Sequence, residues 1–219
     1  MRDDRGLHRL VVAALISTLL VGCSGSDTGP APAEGSGLQD DFSSGTCRFG
    51  SLQAGATQGY GCVDGEFRAW IDNDQESYDF VSASAGESYG DVRIEVDARF
   101  VSGEDAGAYL LCRGSQVGGA FYALRVGVDG SVEITDFLDG EEQIARLDSL
   151  PEGSILPGAN RLRADCLGND LALYVNGSLV LEREIEGGAY SSGDMGLGAG
   201  GGSRGLSEVR FDNLIVSQP

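Results

Sequence analysis

Short alternating runs of apolar and polar residues fill the chain from Asp40 to its end. In residues 91–101, DVRIEVDARFV, apolar side chains stand at every second position from Val92 to Phe100, with arginine or an acid between them. A period of two is that of a β-strand with one buried face. No window of ten or more residues carries a helical stripe, so the pattern predicts an all-β domain.

Further segments alternate in the same way, and they are GAYLLCRG, AFYALRVGV, SVEITDFL, RLRADCLG, LALYVNG, SLVLERE and EVRFDNLIV. Asp129-Gly130 and Asn176-Gly177 each separate two of these segments. Both dipeptides tolerate positive φ and favour the type I′ turns of tight hairpins. A dozen or so short strands joined in this way predict two packed antiparallel sheets.

The N-terminus has a different pattern, with three arginines in residues 1–9 followed by an apolar run from Leu10 to Val21. A helix of this length measures about 18 Å, which is too short to cross a hydrocarbon core of about 30 Å. The order of charge and then apolar run is typical of a secretory signal peptide. The sequence LVGC that ends at Cys23 resembles the bacterial lipobox. That resemblance implies a lipoprotein signal peptide over 1–22 that is cut just before Cys23, and attachment of diacylglycerol, with acyl chains such as palmitate, to the Cys23 thiol. The alternative is an ordinary signal peptide with a chance cysteine.

Residues 24–38, SGSDTGPAPAEGSGL, have no apolar periodicity. Such a composition predicts a flexible tether, over 23–38, between the lipid and a single domain over 39–219. Two or three acyl chains would give durable anchoring. We therefore expect a protein held by its lipid on the outer face of the bacterial cytoplasmic membrane or on the cell surface.

Charge and histidine content exclude several classes of function. The chain has 34 acidic and 15 basic residues, a net charge of −19, and no basic cluster beyond its N-terminus. Nucleic acid is therefore excluded as a partner, because binding it needs a basic surface. The single histidine, His8, lies in the predicted signal peptide, so the mature chain lacks the residues of a Ser-His-Asp triad or a His-ligated zinc site.

Lipidation of Cys23 leaves four cysteines, which allow three disulfide pairings. Cys47 and Cys62 flank a glycine-rich loop, and Cys112 and Cys166 both stand in the middle of predicted strands. We predict the pairs Cys47–Cys62 and Cys112–Cys166, the second as a bridge between neighbouring strands.

Four stretches resemble the concanavalin A-like jelly roll, and they are DVRIEVDARFVSGEDAGAYLLCRG, FYALRVGVDGSVEI, NRLRADCLGNDLALYVNGSLV and VRFDNLIV. Within that fold, the laminin G-like and 3-keto-disaccharide-hydrolase-type domains of bacterial exported proteins are most similar. The resemblance covers roughly residues 40–219. It implies a β-sandwich of two antiparallel sheets whose first and last strands pair.

A sugar-binding surface on such a sandwich needs aromatic platforms and planar polar groups on the concave sheet. The candidates are Tyr109, Arg113, Tyr122 and Arg125. Alternation places Tyr109 and Arg113 opposite Cys112, and it places Tyr122 and Arg125 on opposite faces, so at most one of the last two joins that surface. The alternative is that the aromatic residues pack in the core, as we expect for Trp70, the only tryptophan.

A catalytic role is the second hypothesis. Laminarinase-type β-glucanases of this fold carry E-x-D-x-x-E on one strand, and Glu95 and Asp97 match its first two positions while Phe100 stands at the third. We expect Glu95 and Asp97 to lie on a solvated outer face, unless a remote carboxylate such as Glu133 completes a pair. The 3-keto-disaccharide-hydrolase resemblance supplies no catalytic motif that matches residue by residue.

Relatives in this fold often hold a structural Ca²⁺ near the paired terminal strands, where Asp41 and Asp212 are candidate ligands. Six to eight oxygen ligands are needed, and no other cofactor is expected. Together these observations predict a lipid-anchored, non-catalytic protein that recognises a carbohydrate or cell-wall glycan. The alternatives are a glycoside-cleaving enzyme and a structural or protein-interaction module. Oligomeric state is left open.

Overall fold

The computed structural model describes residues 37–54, 57–73, 79–115, 119–137, 142–185 and 190–219. The predicted signal peptide, Cys23 and nearly all of the tether lie outside the described residues. Within the described ranges the chain forms strands and no helix, as predicted. The strands are β1 Leu38–Asp40, β2 Leu52–Ala54, β3 Gln58–Val63, β4 Glu66–Asn73, β5 Asp79–Tyr89, β6 Val92–Ser102, β7 Gly107–Gly114, β8 Tyr122–Gly127, β9 Val132–Asp136, β10 Glu142–Leu147, β11 Asn160–Leu167, β12 Asp170–Val175, β13 Ser178–Glu184, β14 Gly193–Gly201 and β15 Gly205–Ser217. Among these residues there is no apolar helix long enough to span a membrane.

The strands build two antiparallel sheets. One has nine strands in the order β13-β12-β11-β6-β15-β4-β3-β2, with β1 paired to β15, and the other has six in the order β10-β9-β8-β7-β14-β5. The first strand pairs with the last, with Leu38 opposite Val216, so the predicted pairing of the terminal strands is confirmed. The predicted jelly-roll sandwich is likewise confirmed.

The core lies between the sheets, and β6 shows how alternation forms it. Val92, Ile94 and Val96 are fully buried, while Arg93 and Glu95 between them are half-buried on the outer side. Burying each such side chain contributes about 1.5–3 kcal/mol of hydrophobic free energy. The buried face that the sequence pattern of residues 91–101 predicts is therefore confirmed in β6.

Both predicted disulfides are present. Cys112 of β7 bonds Cys166 of β11, and Cys47 bonds Cys62 of β3. We expected the Cys112–Cys166 bridge to join neighbouring strands, and that expectation is wrong, because β7 and β11 belong to different sheets. It crosses the core, where both cysteines are fully buried.

The two predicted turns differ. At Asn176-Gly177 both residues have positive φ, 50° and 83°, which fits the expected type I′ turn. In the β8–β9 loop only Gly130 has positive φ, 84°, so the prediction for Asp129-Gly130 is wrong. There the Asp129 carboxylate accepts hydrogen bonds from the N–H and hydroxyl of Ser131, at 3.0 and 2.6 Å, and closes a wider loop.

Candidate functional site

The outer face of the six-stranded sheet carries the candidate site. In β7 the side chains of Leu110 and Cys112 face the core, so Tyr109 and Leu111 face outward and form a separate apolar cluster with Ala123 of β8. Register continues this face across the sheet. The residues that stand opposite one another in one row are Gly198, Tyr109, Arg125, Glu133 and Arg146.

Four aromatic rings meet over the middle of this face. Phe80 stacks on Tyr109 with ring centroids 5.4 Å apart, and Phe121 stacks on Phe137 at 4.7 Å. Phe80 also lies 5.2 Å from Phe137. We call Phe80, Tyr109, Phe121 and Phe137 the aromatic cluster.

The aromatic cluster shows that this face is concave. Phe80 lies on the edge strand β5, and Phe137 follows β9, four strands away. At a spacing of about 4.8 Å per strand, a flat sheet would separate the two strands by about 19 Å. Their ring centroids are 5.2 Å apart, so the sheet curls and the side chains lean inward from opposite sides.

Glycines make this approach of side chains sterically feasible. A Cβ on Gly200 of β14 would lie 2.7 Å from Phe80 Cβ and 3.1 Å from Tyr109 Cε2. A Cβ on Gly107 would lie 2.5 Å from Arg125 Nε. Glycine at these positions therefore lets Phe80 cross β14 and lets Arg125 lie flat on the sheet.

Two depressions flank the aromatic cluster. The smaller, of about 320 Å³, has Ser82, Ser84, Leu111, Phe121 and Asp194 in its lining. The larger, of about 600 Å³, is lined on one side by Phe80, Tyr109 and Phe137. Its other side is polar, formed by Asp79, Asp105, Arg125, Asp129, Ser131, Glu133, Thr135, Gln143 and Arg146, and we call this larger depression the polar pocket.

Arg125 is held in the polar pocket by a short network. It is 9% exposed, and its guanidinium donates to Ser131 Oγ at 2.7 Å and to the Asp105 carbonyl at 3.2 Å. Burial acts to raise the pKa of Asp129, but the hydrogen bonds from Ser131 and the charge of Arg125 outweigh it, so this pKa lies below its ordinary value. Asp129 is therefore a fixed anion that orients Ser131 toward Arg125.

The structure brings two of the four predicted ligand-binding residues to this face. Tyr109 belongs to the aromatic cluster and Arg125 to the polar pocket. Tyr122 is fully buried in the core, where its ring centroid lies 5.1 Å from that of Tyr190. Its predicted place on the binding surface is wrong, and the prediction that Tyr122 and Arg125 face opposite ways is confirmed.

Arg113 does not reach the outer face either. Its φ is 55°, and the pairing of β14 with β7 shifts register beside it, between Asp194 and Gly196. This β-bulge breaks the alternation and directs the side chain inward, since Arg113 is 3% exposed and donates to the carbonyls of Gly90, Tyr190 and Cys166. Arg113 thus links the ends of the two sheets.

Three members of the aromatic cluster, Phe80, Phe121 and Phe137, were missed by reasoning from sequence. Phe121 is an even number of residues from Arg125, and Phe137 from Glu133. Strand parity alone therefore places both on the outer face. Phe80 alternates with the buried Val81 and Ala83 of β5, so parity places it on the outer face as well. Its contact with Tyr109, however, depends on the pairing of β5 with β14, which the sequence does not show.

Glu95 and Asp97 lie on the outer face of the opposite, nine-stranded sheet. Each accepts a hydrogen bond from Arg161, both at 3.3 Å, so the expected solvated outer face is confirmed. Glu133 lies on the other side of the sandwich. It cannot complete a catalytic pair with Glu95 or Asp97, and that possibility is wrong.

Trp70 also lies outside the core, contrary to expectation. In β4 the residues Phe67, Ala69 and Ile71 are buried, and alternation turns Trp70 to the outer face of the nine-stranded sheet. It is half-buried there, with the Arg68 guanidinium carbon 5.3 Å from its ring centroid.

The two candidate calcium ligands lie near the end of the β1–β15 pairing. Asp41 accepts from the N–H and hydroxyl of Ser43, and Asp212 accepts from the N–H of Asn213. Among the described residues, no group of three or more acidic, histidine or cysteine side chains has metal-holding geometry. Calcium binding at Asp41 and Asp212 stays a prediction.

No protein-family model and no curated protein sequence matches this chain. Solved structures do share its fold. The carbohydrate-binding module CBM66 from Bacillus subtilis aligns with a TM-score of 0.58 at 19% identity, over 77% of this chain and 95% of that one. The Bacillus licheniformis beta-glucanase aligns with a TM-score of 0.60 at 12% identity, over 85% and 99%. A prokaryotic beta-1,3-1,4-glucanase from a mouse hindgut metagenome gives 0.59 at 11%, over 84% and 98%. At these identities the likeness establishes the jelly-roll fold.

Proposed function

We propose that this protein is a non-catalytic carbohydrate-binding protein whose site is the concave face of the six-stranded sheet. The observation that carries the proposal is the aromatic cluster bordered by the polar pocket. The names of the structural neighbours, a carbohydrate-binding module and two glucanases, agree with a carbohydrate as the ligand. A neutral glycan of the cell wall or the environment is the expected ligand.

The chemistry of the face suits a sugar. A pyranose ring presents apolar C–H groups on its faces, which pack on aromatic rings, and hydroxyls at its rim, which need donors and acceptors. Here half-buried phenylalanines stand next to Arg125, Glu133 and Gln143 in one depression. Both kinds of contact are therefore offered side by side.

Two of the four carboxylates of the polar pocket, those of Asp105 and Asp129, support binding over hydrolysis. Glycosidases need an acid with a raised pKa and a second carboxylate across the scissile bond. Asp129 has a lowered pKa, and Asp105 Oδ2 accepts from the N–H groups of Gly202 and Ser203 at 2.7 and 2.8 Å. Both are occupied in holding loops. Release of reducing sugar from a bound glycan would establish the enzyme alternative instead.

We also propose that the domain is held outside the cytoplasm by a lipid on Cys23. The lipobox resemblance and the composition of residues 24–38 support this. The two disulfides agree with an oxidising, extracytoplasmic compartment.

The binding proposal is tested by titrating the purified full-length chain with β-1,3-1,4-glucan, β-1,3-glucan and β-1,4-galactan. Phe137→Ala removes a half-buried ring from the site, and we expect at least one of these glycans to bind about tenfold more weakly, as for an aromatic residue at a binding hot spot. Trp70→Ala is the matched control, since it removes an aromatic side chain from the opposite face and should leave the affinity unchanged. A thermal melt of each variant checks folding.

Two outcomes would contradict the proposal. Either none of the glycans binds the wild-type chain, or the two variants weaken binding equally. Capture of a protein partner that Phe137→Ala abolishes, without glycan binding, would favour the protein-interaction alternative.

A further inference from the structure

The polar pocket is rich in carboxylates. Its lining includes four of them, from Asp79, Asp105, Asp129 and Glu133, against the two guanidinium groups of Arg125 and Arg146. A ligand segment placed there meets a negative surface in a chain that already carries a net charge of −19.

Both arginines donate hydrogen bonds to groups other than Glu133. Arg125 donates to Ser131 and to the Asp105 carbonyl. Arg146 stands directly opposite Glu133 in register, yet its guanidinium donates to Asp148 at 2.8 Å. Within the described residues, neither guanidinium forms an ion pair with the Glu133 carboxylate.

Glu133 is the carboxylate best placed to meet a ligand. It stands between Arg125 and Arg146 in the cross-strand row. Within the described part of the chain it forms no ion pair, and its Oε1 accepts one hydrogen bond, from the Thr135 hydroxyl at 3.1 Å. Its second oxygen is available to accept a hydrogen bond from a sugar hydroxyl.

We propose that Glu133 is a specificity-determining residue that makes the site select uncharged, hydroxyl-bearing sugars over sugars that carry a carboxylate. The inference rests on the proposed function and deepens it. A hydroxyl donates to Glu133, whereas a uronate at the same place brings two like charges together in a partly desolvated pocket. The charge of Glu133 would then exclude acidic polysaccharides from this face, because the aromatic rings alone do not discriminate between neutral and acidic sugars.

The test uses matched ligands that differ only at C6, which carries a hydroxymethyl group in one and a carboxylate in the other. β-1,3-1,4-glucan, β-1,3-glucan and β-1,4-galactan oligosaccharides are each compared with the same oligosaccharide oxidised at C6 to the uronate. For the wild-type full-length chain we expect the uronate form to bind about tenfold more weakly at low salt. In about 1 M NaCl, where the Debye length is about 3 Å, the ratio should fall towards one.

Glu133→Gln removes the charge and keeps the shape of the side chain. We expect it to bring the ratio of the two affinities below about threefold, because the like-charge contact is gone. Glu184→Gln is the matched control, since Glu184 is exposed on β13 of the other sheet and its loss changes the net charge equally. That variant should keep the wild-type ratio.

The outcomes separate this inference from the proposed function. If neutral glycans bind but the ratio is the same in Glu133→Gln and wild type, the inference is wrong while glycan binding stands. If both substitutions lower the ratio equally, net charge and not Glu133 is responsible, and the inference is again wrong. If no oligosaccharide binds in either form, both proposals fall.

Discussion

Two arginines on neighbouring strands show that the backbone conformation of a single residue determines which way its side chain faces. Arg125 follows the regular alternation of β8 and lies on the concave face. Arg113 sits at a β-bulge with φ of 55° and turns into the gap between the sheets. Strand alternation predicts the direction of the Arg125 side chain correctly and fails for Arg113. The local sequence CRG does not indicate a β-bulge, because the bulge depends on the register between β7 and β14.

Individual residues also determine the ion pairs on the outer face of the nine-stranded sheet. All fifteen basic residues of the chain are arginine. Glu208, whose side chain is 5% exposed, accepts from Arg68 and Arg210 at 2.6 and 2.8 Å. Burial acts to raise its pKa, but these two hydrogen bonds and charges prevail, so the pKa of Glu208 lies below its ordinary value.

A lowered pKa makes the contribution of Glu208 to stability dependent on pH. The contribution is complete above the unfolded-state pKa and is lost as pH falls through the folded-state value. We expect Glu208→Gln to lower the free energy of unfolding by about 1–3 kcal/mol at pH 7. The difference from wild type should shrink below the ordinary glutamate pKa of 4.5, as the wild-type carboxylate is protonated. Urea denaturation at pH 7, 5 and 3 measures this.

Glu184→Gln serves as the control for that series and should change stability by less than about 0.5 kcal/mol at every pH. A difference between wild type and Glu208→Gln that is as large at pH 3 as at pH 7 would show that packing, and not charge, is responsible.

At the scale of strands, the alternation of apolar and polar residues predicts which side chains of a strand are buried. The alternation of β6, β7 and β8 is local, since it depends on a pleat of two residues, and the sequence shows it directly. Sheet membership is not local. The predicted pairing of Cys112 with Cys166 is correct, because their positions within strands can be read from the sequence. Their placement in two different sheets could not be predicted, because it depends on the topology of the whole sandwich.

The strand β14 explains why the centre of the site could not be predicted. Met195, Leu197 and Ala199 are buried, and the glycines between them leave the outer surface bare. A bare strand contributes no side chain to a motif. Its role is to admit Phe80 from β5, and that role appears only when Gly200 is seen to pair with both Phe80 and Gly107.

For the whole molecule, the two outer faces differ in kind. On the nine-stranded sheet, acidic residues pair with arginines. Glu66 pairs with Arg99 and Arg210 of other strands, and Asp165 pairs with Arg93 of β6 and with Arg163 of its own strand. Paired charges of this sort satisfy one another. On the six-stranded sheet, aromatic rings and an acidic pocket share a concave surface, and this asymmetry is the reason for proposing the binding site there.

The proposed lipid anchor concerns the molecule as a whole. We expect Cys23→Ser to abolish incorporation of labelled palmitate and to release or mislocalise the protein, because the thiol that would carry the lipid is gone. The domain should keep its melting temperature and both disulfides. Ser24→Ala, which leaves the cysteine in place, is the control. A Cys23→Ser protein that is still correctly processed and bound to the membrane would contradict the lipobox interpretation.

The most direct test of glycan recognition on the concave face is hydroxyl-radical footprinting of the full-length chain, with and without saturating β-1,3-1,4-glucan oligosaccharide. Radical oxidation reports the solvent exposure of each aromatic side chain. We predict protection of Phe80, Phe121 and Phe137 by the glycan, while Trp70 on the opposite face is oxidised equally in both samples. Protection of Trp70 with unchanged oxidation of the three phenylalanines would contradict the account.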